Sequence, residues 1–171
     1  MLKYIGAILL TAGATLWGLS GAKSLRDRGI ALRAVETSLE IMCSEVCDRL
    51  TPVPELFAIL AERGAKPADR LYANAQGRLD RIGALPFSEI WEQAVLATPE
   101  LMLSNEERLT LCQLGHSLGR YDIGEQRRAI TAAKERFGEY AAKAEAERDK
   151  NWKSQAFLGI AAGLFTVIIL L

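Results

Sequence analysis

Three cysteines and the single histidine are the side chains of this sequence whose types and spacing suit chemistry. Cys43 and Cys47 are four residues apart, and so are Cys112 and His116. Residues four apart share one face of a helix, so two packed helices would unite them in a Cys3His tetrahedral zinc site. We favour the competing interpretation, in which the cysteines are small buried hydrophobes, because structural zinc sites normally space their cysteines more closely and in loops. If the zinc site did form, the alternative function would be that of a metal- or redox-responsive, membrane-anchored helical protein that uses these four residues.

Other catalytic motifs are absent from the sequence. A nucleotide-binding phosphate loop needs glycines before a Lys and a Ser or Thr, and a zinc protease needs two histidines on one helical turn; neither pattern occurs. Acidic and basic residues are interleaved, as on an ordinary solvated surface. The 21 basic residues balance the 21 acidic ones, so net charge gives no argument for nucleic-acid binding. We expect no enzyme activity, no cofactor, no metal and no nucleic-acid partner.

The helix that would position Cys112 and His116, and the helix after it, are predicted from residues 104–126. Ser104 and Glu107 have the spacing of a capping box at a helix start. The apolar face of this helix is formed by Leu111, Leu114 and Leu118. Gly119 is expected to end the helix in the left-handed conformation. Asp122, with Glu125 three residues later, is the predicted cap of the next helix. The segment is therefore predicted to form a tight corner between two helices.

The remainder of the central region is also predicted to be helical. The longest seam of apolar residues, spaced by three and four, is formed by Leu32, Val35, Leu39, Met42, Val46 and Leu50. Proline and glycine then delimit three shorter helices, one ending at Arg63, one from Pro67 to Gly83 and one between Ser88 and Thr98. No alternating strand pattern of useful length occurs. The predicted fold class is all-α, an antiparallel bundle of about six soluble helices.

Two uncharged segments flank this region and are predicted to cross a membrane. As a helix, residues 4–22 would span a hydrocarbon core of about 30 Å, and residues 154–171 would reach about 27 Å. A cleaved signal peptide is the alternative for the first segment, although the apolar run exceeds a typical h-region. Basic residues lie mainly between the segments, whereas only Lys3 lies outside them, so the positive-inside rule places the middle in the cytoplasm. The predicted domains are 1–23 (transmembrane), 24–153 (cytoplasmic bundle) and 154–171 (transmembrane).

Small residues in both segments indicate how the two spans would pack. Ala14 and Gly18 lie on one face of the first segment, and Gly159 and Gly163 form a GxxxG motif in the second. Small side chains let the backbones of membrane helices approach closely. Glycine and alanine are also common in membrane helices without such a role, so both interpretations stay open.

The corner carries the most specific pattern of the chain. The run LGHSLGRYDIGEQ, with the spacing Leu-Gly-x-x-Leu-Gly-x-x-Asp-x-x-x-Gln, is formed by Leu114, Gly115, Leu118, Gly119, Asp122 and Gln126. This run and the layout of the chain resemble the stage III sporulation protein AB family of endospore-forming bacteria. The opening MLKYIGAILLTAGATLWG, the segments TPVPELFAIL and FSEIWEQAV, and the closing LGIAAGLFTVIILL also fall where that family has its counterparts.

The resemblance implies a two-span protein in the cell membrane of the mother cell, with its soluble domain facing the cytoplasm. It further implies a bundle similar to the cytoplasmic domains of type II secretion platform F proteins, serving in a channel between mother cell and forespore. The implied partners are other stage III sporulation channel proteins and a secretion-type ATPase. A membrane sensor is the alternative of another class, because chemoreceptors also enclose a helical bundle between two spans. The motif residues are then candidates for a structural or partner-binding role.

Overall fold

The computed structural model describes residues 23–118 and 122–150. The bounds of the first and last helices extend beyond these ranges. The α-helices, in chain order, are α1 (Leu2–Cys47), α2 (Val53–Arg63), α3 (Ala68–Gln76), α4 (Phe87–Leu96), α5 (Asn105–Leu114) and α6 (Ile123–Leu170). Short 3-10 helices follow α3 and α4, at Leu79–Arg81 and Pro99–Leu101. The described residues contain no β-strand, and the prediction of an all-α bundle is confirmed.

The chain divides into two compact units, Arg28–Ala142 and a second formed by Met1–Asp27 with Lys143–Leu171. The predicted spans over 4–22 and 154–171 lie outside the described residues, as do the packing residues Ala14, Gly18, Gly159 and Gly163. Within the described part of the chain, no helix carries an apolar stretch of the length needed to cross a bilayer. The two spans, and the domain boundaries drawn from them, therefore stay predictions.

The predicted apolar seam of α1 is the core of the Arg28–Ala142 unit. Its first five members are buried, at Leu32, Val35, Leu39, Met42 and Val46. Leu50 is the exception, because α1 ends at Cys47 and Leu50 follows with a left-handed φ of 56° and a side chain that is 61% exposed. The backbone N–H of Thr51 donates back to the Glu45 carbonyl at 2.9 Å, and this bond closes the chain around Leu50.

Three aromatic rings join α2, α3 and α4. Phe57 and Trp91 stack with ring centroids 5.6 Å apart, and Tyr72 lies 5.9 Å from Phe57 and 6.0 Å from Trp91. All three are fully buried. The Ser38 hydroxyl of α1 donates to the Val35 carbonyl, so the Tyr72 hydroxyl donates to Ser38, 2.7 Å away. Burial raises the pKa of Tyr72, which keeps this hydroxyl protonated as a donor.

The predicted capping box at the start of α5 is confirmed and also binds α1. The Ser104 hydroxyl accepts from the Glu107 backbone N–H, and the Glu107 carboxylate accepts from the Ser104 N–H at 2.7 Å. The second oxygen of this carboxylate pairs with Arg28 at 2.6 Å, and Arg28 also donates to the Met102 carbonyl. Because Glu107 is only 4% exposed, losing Arg28 would leave a buried charge with one partner fewer.

The third helix is shorter than the predicted range from Pro67 to Gly83. The α-helix ends at Gln76, Gly77 follows, and the chain continues as the 3-10 turn Leu79–Arg81. Glycine costs about 1 kcal/mol in a helix interior relative to alanine, which makes Gly77 a favourable end point. Ile82, predicted to belong to the apolar face, is therefore about half exposed. The predicted end of α2 is confirmed, since Gly64 follows Arg63 and a Cβ there would lie 2.2 Å from the Leu60 carbonyl oxygen.

Leu50 provides a test of the described end of α1. A left-handed conformation costs a residue with a Cβ about 1 to 2 kcal/mol, and glycine avoids this cost. We expect Leu50→Gly to raise the free energy of unfolding by about 1 kcal/mol, because little buried apolar surface is lost with an exposed side chain. Leu50→Ala is the matched control, since it removes the same side chain and keeps the Cβ. Equal stability of the two variants in thermal or denaturant melts would contradict the left-handed assignment.

Candidate functional site

The corner between α5 and α6 is shorter than predicted. The sequence predicted that α5 would continue to Leu118 and end at Gly119, but the helix ends at Leu114. Residues 115–118 then form turns, in which the N–H of His116 donates to the Gln113 carbonyl at 3.1 Å and that of Ser117 to the Leu114 carbonyl at 3.0 Å. The predicted helix end at Gly119 is therefore wrong for α5. Gly119 itself lies outside the described residues.

Three side chains of the corner motif belong to the core. Leu114, Leu118 and Gln126 are all buried. The leucines come from the end of α5 and the turn that follows it, and Gln126 comes from the first turn of α6. Burial of these side chains holds the two ends of the corner in the interior of the unit. Most of the motif therefore stabilises the fold.

Gly115 has a different and specific role, which is to make room for Trp91. A Cβ at position 115 would lie 2.5 Å from Cδ1 of the indole, closer than such atoms approach in folded proteins. The indole is fixed there because its N–H donates to the Leu111 carbonyl at 2.7 Å. Trp91 therefore spans from the aromatic cluster of α2 and α3 to the last turns of α5. The motif glycine is explained by this close approach, with an ordinary φ of −59°.

Asp122 is the exposed member of the motif, and its predicted capping role is confirmed. Its carboxylate accepts the backbone N–H of Glu125 at 3.1 Å, and its carbonyl accepts the N–H of Gln126. The start of α6 is also held from α1, which the sequence did not predict. Arg127 pairs with Asp48 at 2.7 Å and donates to the Cys47 carbonyl. The corner is thus tied to the end of α1 by a contact between residues about eighty positions apart in the chain.

The Cys3His site, which the sequence analysis kept as the alternative, does not form among the described residues. Cys43 and Cys47 are neighbours on α1, where burial, and then Cys43, raise the pKa of Cys47. Cys112 lies instead near Glu92 of α4, and burial, followed by this carboxylate, raises its pKa as well. Among the described residues, no three His, Cys, Asp or Glu side chains group closely enough to hold a metal ion. The raised pKa values also favour the protonated thiols of Cys47 and Cys112, whereas the thiolate is the form that binds zinc.

The surface beside the corner carries a groove lined by polar and small apolar side chains. A groove of about 250 Å³ runs between α5 and α6 and is lined by Thr110, Gln113, Leu114, Ser117, Ala129, Ala132, Ala133 and Arg136. The Tyr140 hydroxyl bridges its end, 3.1 Å from the Glu106 carboxylate and 3.3 Å from the Thr110 hydroxyl. This lining combines small apolar residues with hydrogen-bonding groups. The arrangement can present a shaped surface to a partner.

Gly115→Ala tests the contact between Trp91 and the corner. The added methyl group must displace a buried indole whose N–H is bonded, and overpacking of this kind typically costs about 1 to 3 kcal/mol of stability. Gly77→Ala is the matched control, because Gly77 also follows a helix but its nearest neighbour would be an ordinary 3.5 Å away. We expect only Gly115→Ala to lower the melting temperature. A Gly115→Ala protein as stable as the Gly77→Ala protein would contradict the close approach.

Comparison with known proteins identifies the family. The family model for stage III sporulation protein AB matches residues 3–171. The chain is 28% identical over 172 residues to the stage III sporulation protein AB of Bacillus subtilis (strain 168), and the alignment covers all of both sequences. A solved structure of a stage III sporulation protein AB has a TM-score of 0.65 and 25% identity, and the match covers 72% of this chain and 98% of that one. The chain therefore belongs to the stage III sporulation protein AB family.

Proposed function

We propose that this sporulation protein is a non-catalytic membrane platform of a secretion-like channel between mother cell and forespore. In this role it would link other stage III sporulation channel proteins to a cytoplasmic secretion-type ATPase. The observation that carries the proposal is the family match over residues 3–171, which includes both apolar ends. A platform needs a rigid body with partner surfaces, and the helical unit Arg28–Ala142 supplies such a body.

The contacts within this unit support a scaffold. Its long-range polar contacts join separate helices: Arg28 with Glu107, Arg127 with Asp48, and Arg70 with Glu100. The buried hydroxyls of Ser38 and Tyr72 bond to each other in the same manner. The buried groups among them, Ser38, Tyr72 and Glu107, are engaged in the fold and are not accessible to a partner. Exposed groups such as Asp122 are the ones available to partners.

The proposed location is the cell membrane of the mother cell, with spans at 4–22 and 154–171 and the helical unit in the cytoplasm. The charge asymmetry around the two segments supports this orientation. Alkaline phosphatase fused after Leu50 should be inactive, because the enzyme needs an oxidising compartment, whereas green fluorescent protein at that position should fluoresce. The control is fusion after Leu171, where the activities should be reversed. Active phosphatase at Leu50 would refute the cytoplasmic location.

The corner is the proposed partner surface, and Asp122→Ala tests it. Loss of an N-cap typically costs about 1 kcal/mol. Ser104→Ala removes the cap of α5 at a similar expected cost, so it is the matched control for stability. In sporulating cells that express the tagged full chain, we expect Asp122→Ala to reduce co-purification of the secretion-type ATPase and Ser104→Ala to leave it intact. An equal effect of the two variants would leave Asp122 a purely structural cap.

A further inference from the structure

An open groove lies where α3 and α4 end, on a part of the unit that the corner motif does not include. Its volume is about 650 Å³, and it is lined by Gly77, Arg78, Arg81, Gln93, Leu96 and Ala97. Two of these side chains are guanidinium groups, and Leu96 is 55% exposed. The groove therefore presents positive charge and an aliphatic side chain on one surface.

Hydrogen bonds join the two helix ends that border the groove. The Asn74 amide donates to the Ala97 carbonyl at 3.2 Å and to the Thr98 hydroxyl at 2.8 Å, which joins the end of α3 to the end of α4. Thr98 in turn donates to the Ala94 carbonyl. Arg78 donates to the Asn74 carbonyl at 2.6 Å, so its position is set by the same residue. A surface held in this manner loses little conformational freedom when a ligand binds.

The charge of the groove is not neutralised within the described part of the chain. None of the lining residues is acidic, and no described carboxylate forms an ion pair with Arg78 or Arg81. Asp80 lies outside the lining, and Glu89 accepts a hydrogen bond from Gln93. The C-termini of α3 and α4 each contribute about half a negative elementary charge, so two guanidinium groups leave an excess of about one positive charge.

We propose that this groove binds an acidic segment of a partner protein, in which a carboxylate lies beside an aliphatic side chain. Guanidinium groups pair with carboxylates through two parallel hydrogen bonds, and Arg81 has its donors free for such a pair within the described structure. Leu96 offers the adjoining aliphatic contact, from which both partners would exclude water. A compact polyanion such as a phosphate suits the groove less well, because the two helix C-termini oppose its larger charge more strongly than that of one carboxylate and Leu96 gives it no contact.

The proposal rests on the platform function, since it supplies that platform with a second partner surface. Photo-crosslinking of the full chain in sporulating cells tests it, with p-benzoylphenylalanine in place of Leu96. The control position is Leu109, which is 58% exposed on α5 and does not line the groove. The charge test is Arg81→Glu, and Arg63→Glu is its control, because Arg63 is exposed at the end of α2 and lies outside the groove.

We expect the probe at position 96 to crosslink to a protein of the assembly, and mass spectrometry of the adduct to identify an acidic segment. Arg81→Glu should reduce this adduct about tenfold, since charge reversal replaces attraction by repulsion, and Arg63→Glu should not. An adduct insensitive to Arg81→Glu, an adduct with lipid alone, or no adduct from position 96 would overturn the proposal. If the chain still co-purifies with stage III sporulation proteins in that case, the platform function stands and only the groove assignment fails.

Discussion

The close approach of the Trp91 indole to Gly115 is the constraint on which the rest of the helical unit depends. The ring stacks on Phe57, touches the Tyr72 ring, and donates its N–H to the Leu111 carbonyl. One side chain therefore connects α2, α3, α4 and α5. Because a Cβ at Gly115 would overlap the indole, the position of the ring and the residue at the start of the corner determine each other.

This constraint gives the corner motif a physical explanation. Leu114, Leu118 and Gln126 are buried, Gly115 admits the indole, and Asp122 caps α6. The motif thus specifies a turn after which α6 runs back along α5, where the Tyr140 hydroxyl lies 3.1 Å from the Glu106 carboxylate. A scaffold needs such a turn because its partner surfaces must hold fixed relative positions. One proposed partner surface is the groove at the ends of α3 and α4, with its arginines and Leu96.

Local signals in the sequence were sufficient to predict most of the fold. The seam from Leu32 to Val46, the capping box of Ser104 and Glu107, and the cap at Asp122 each depend on residues spaced by three or four positions. One error was local, because the predicted third helix continued past Gly77, where α3 ends. What local signals did not indicate are contacts between distant residues, such as that of Gly115 with Trp91 and the Arg28–Glu107 pair, which joins residues 79 positions apart. The alternative of a Cys–His site could not be decided from the sequence, because helical periodicity shows which residues share a face and not which helix packs against that face.

The central claim is that α2 to α5 form one cooperative body around Trp91, as a platform requires. Native-state hydrogen exchange of the full chain tests this most directly, because it reports the opening free energy of each helix separately. The account predicts that the slowest amides of the four helices exchange with one shared opening free energy. Opening of α2 and α3 at a clearly lower free energy than α4 and α5 would contradict it, since the aromatic cluster would then not couple the two pairs of helices.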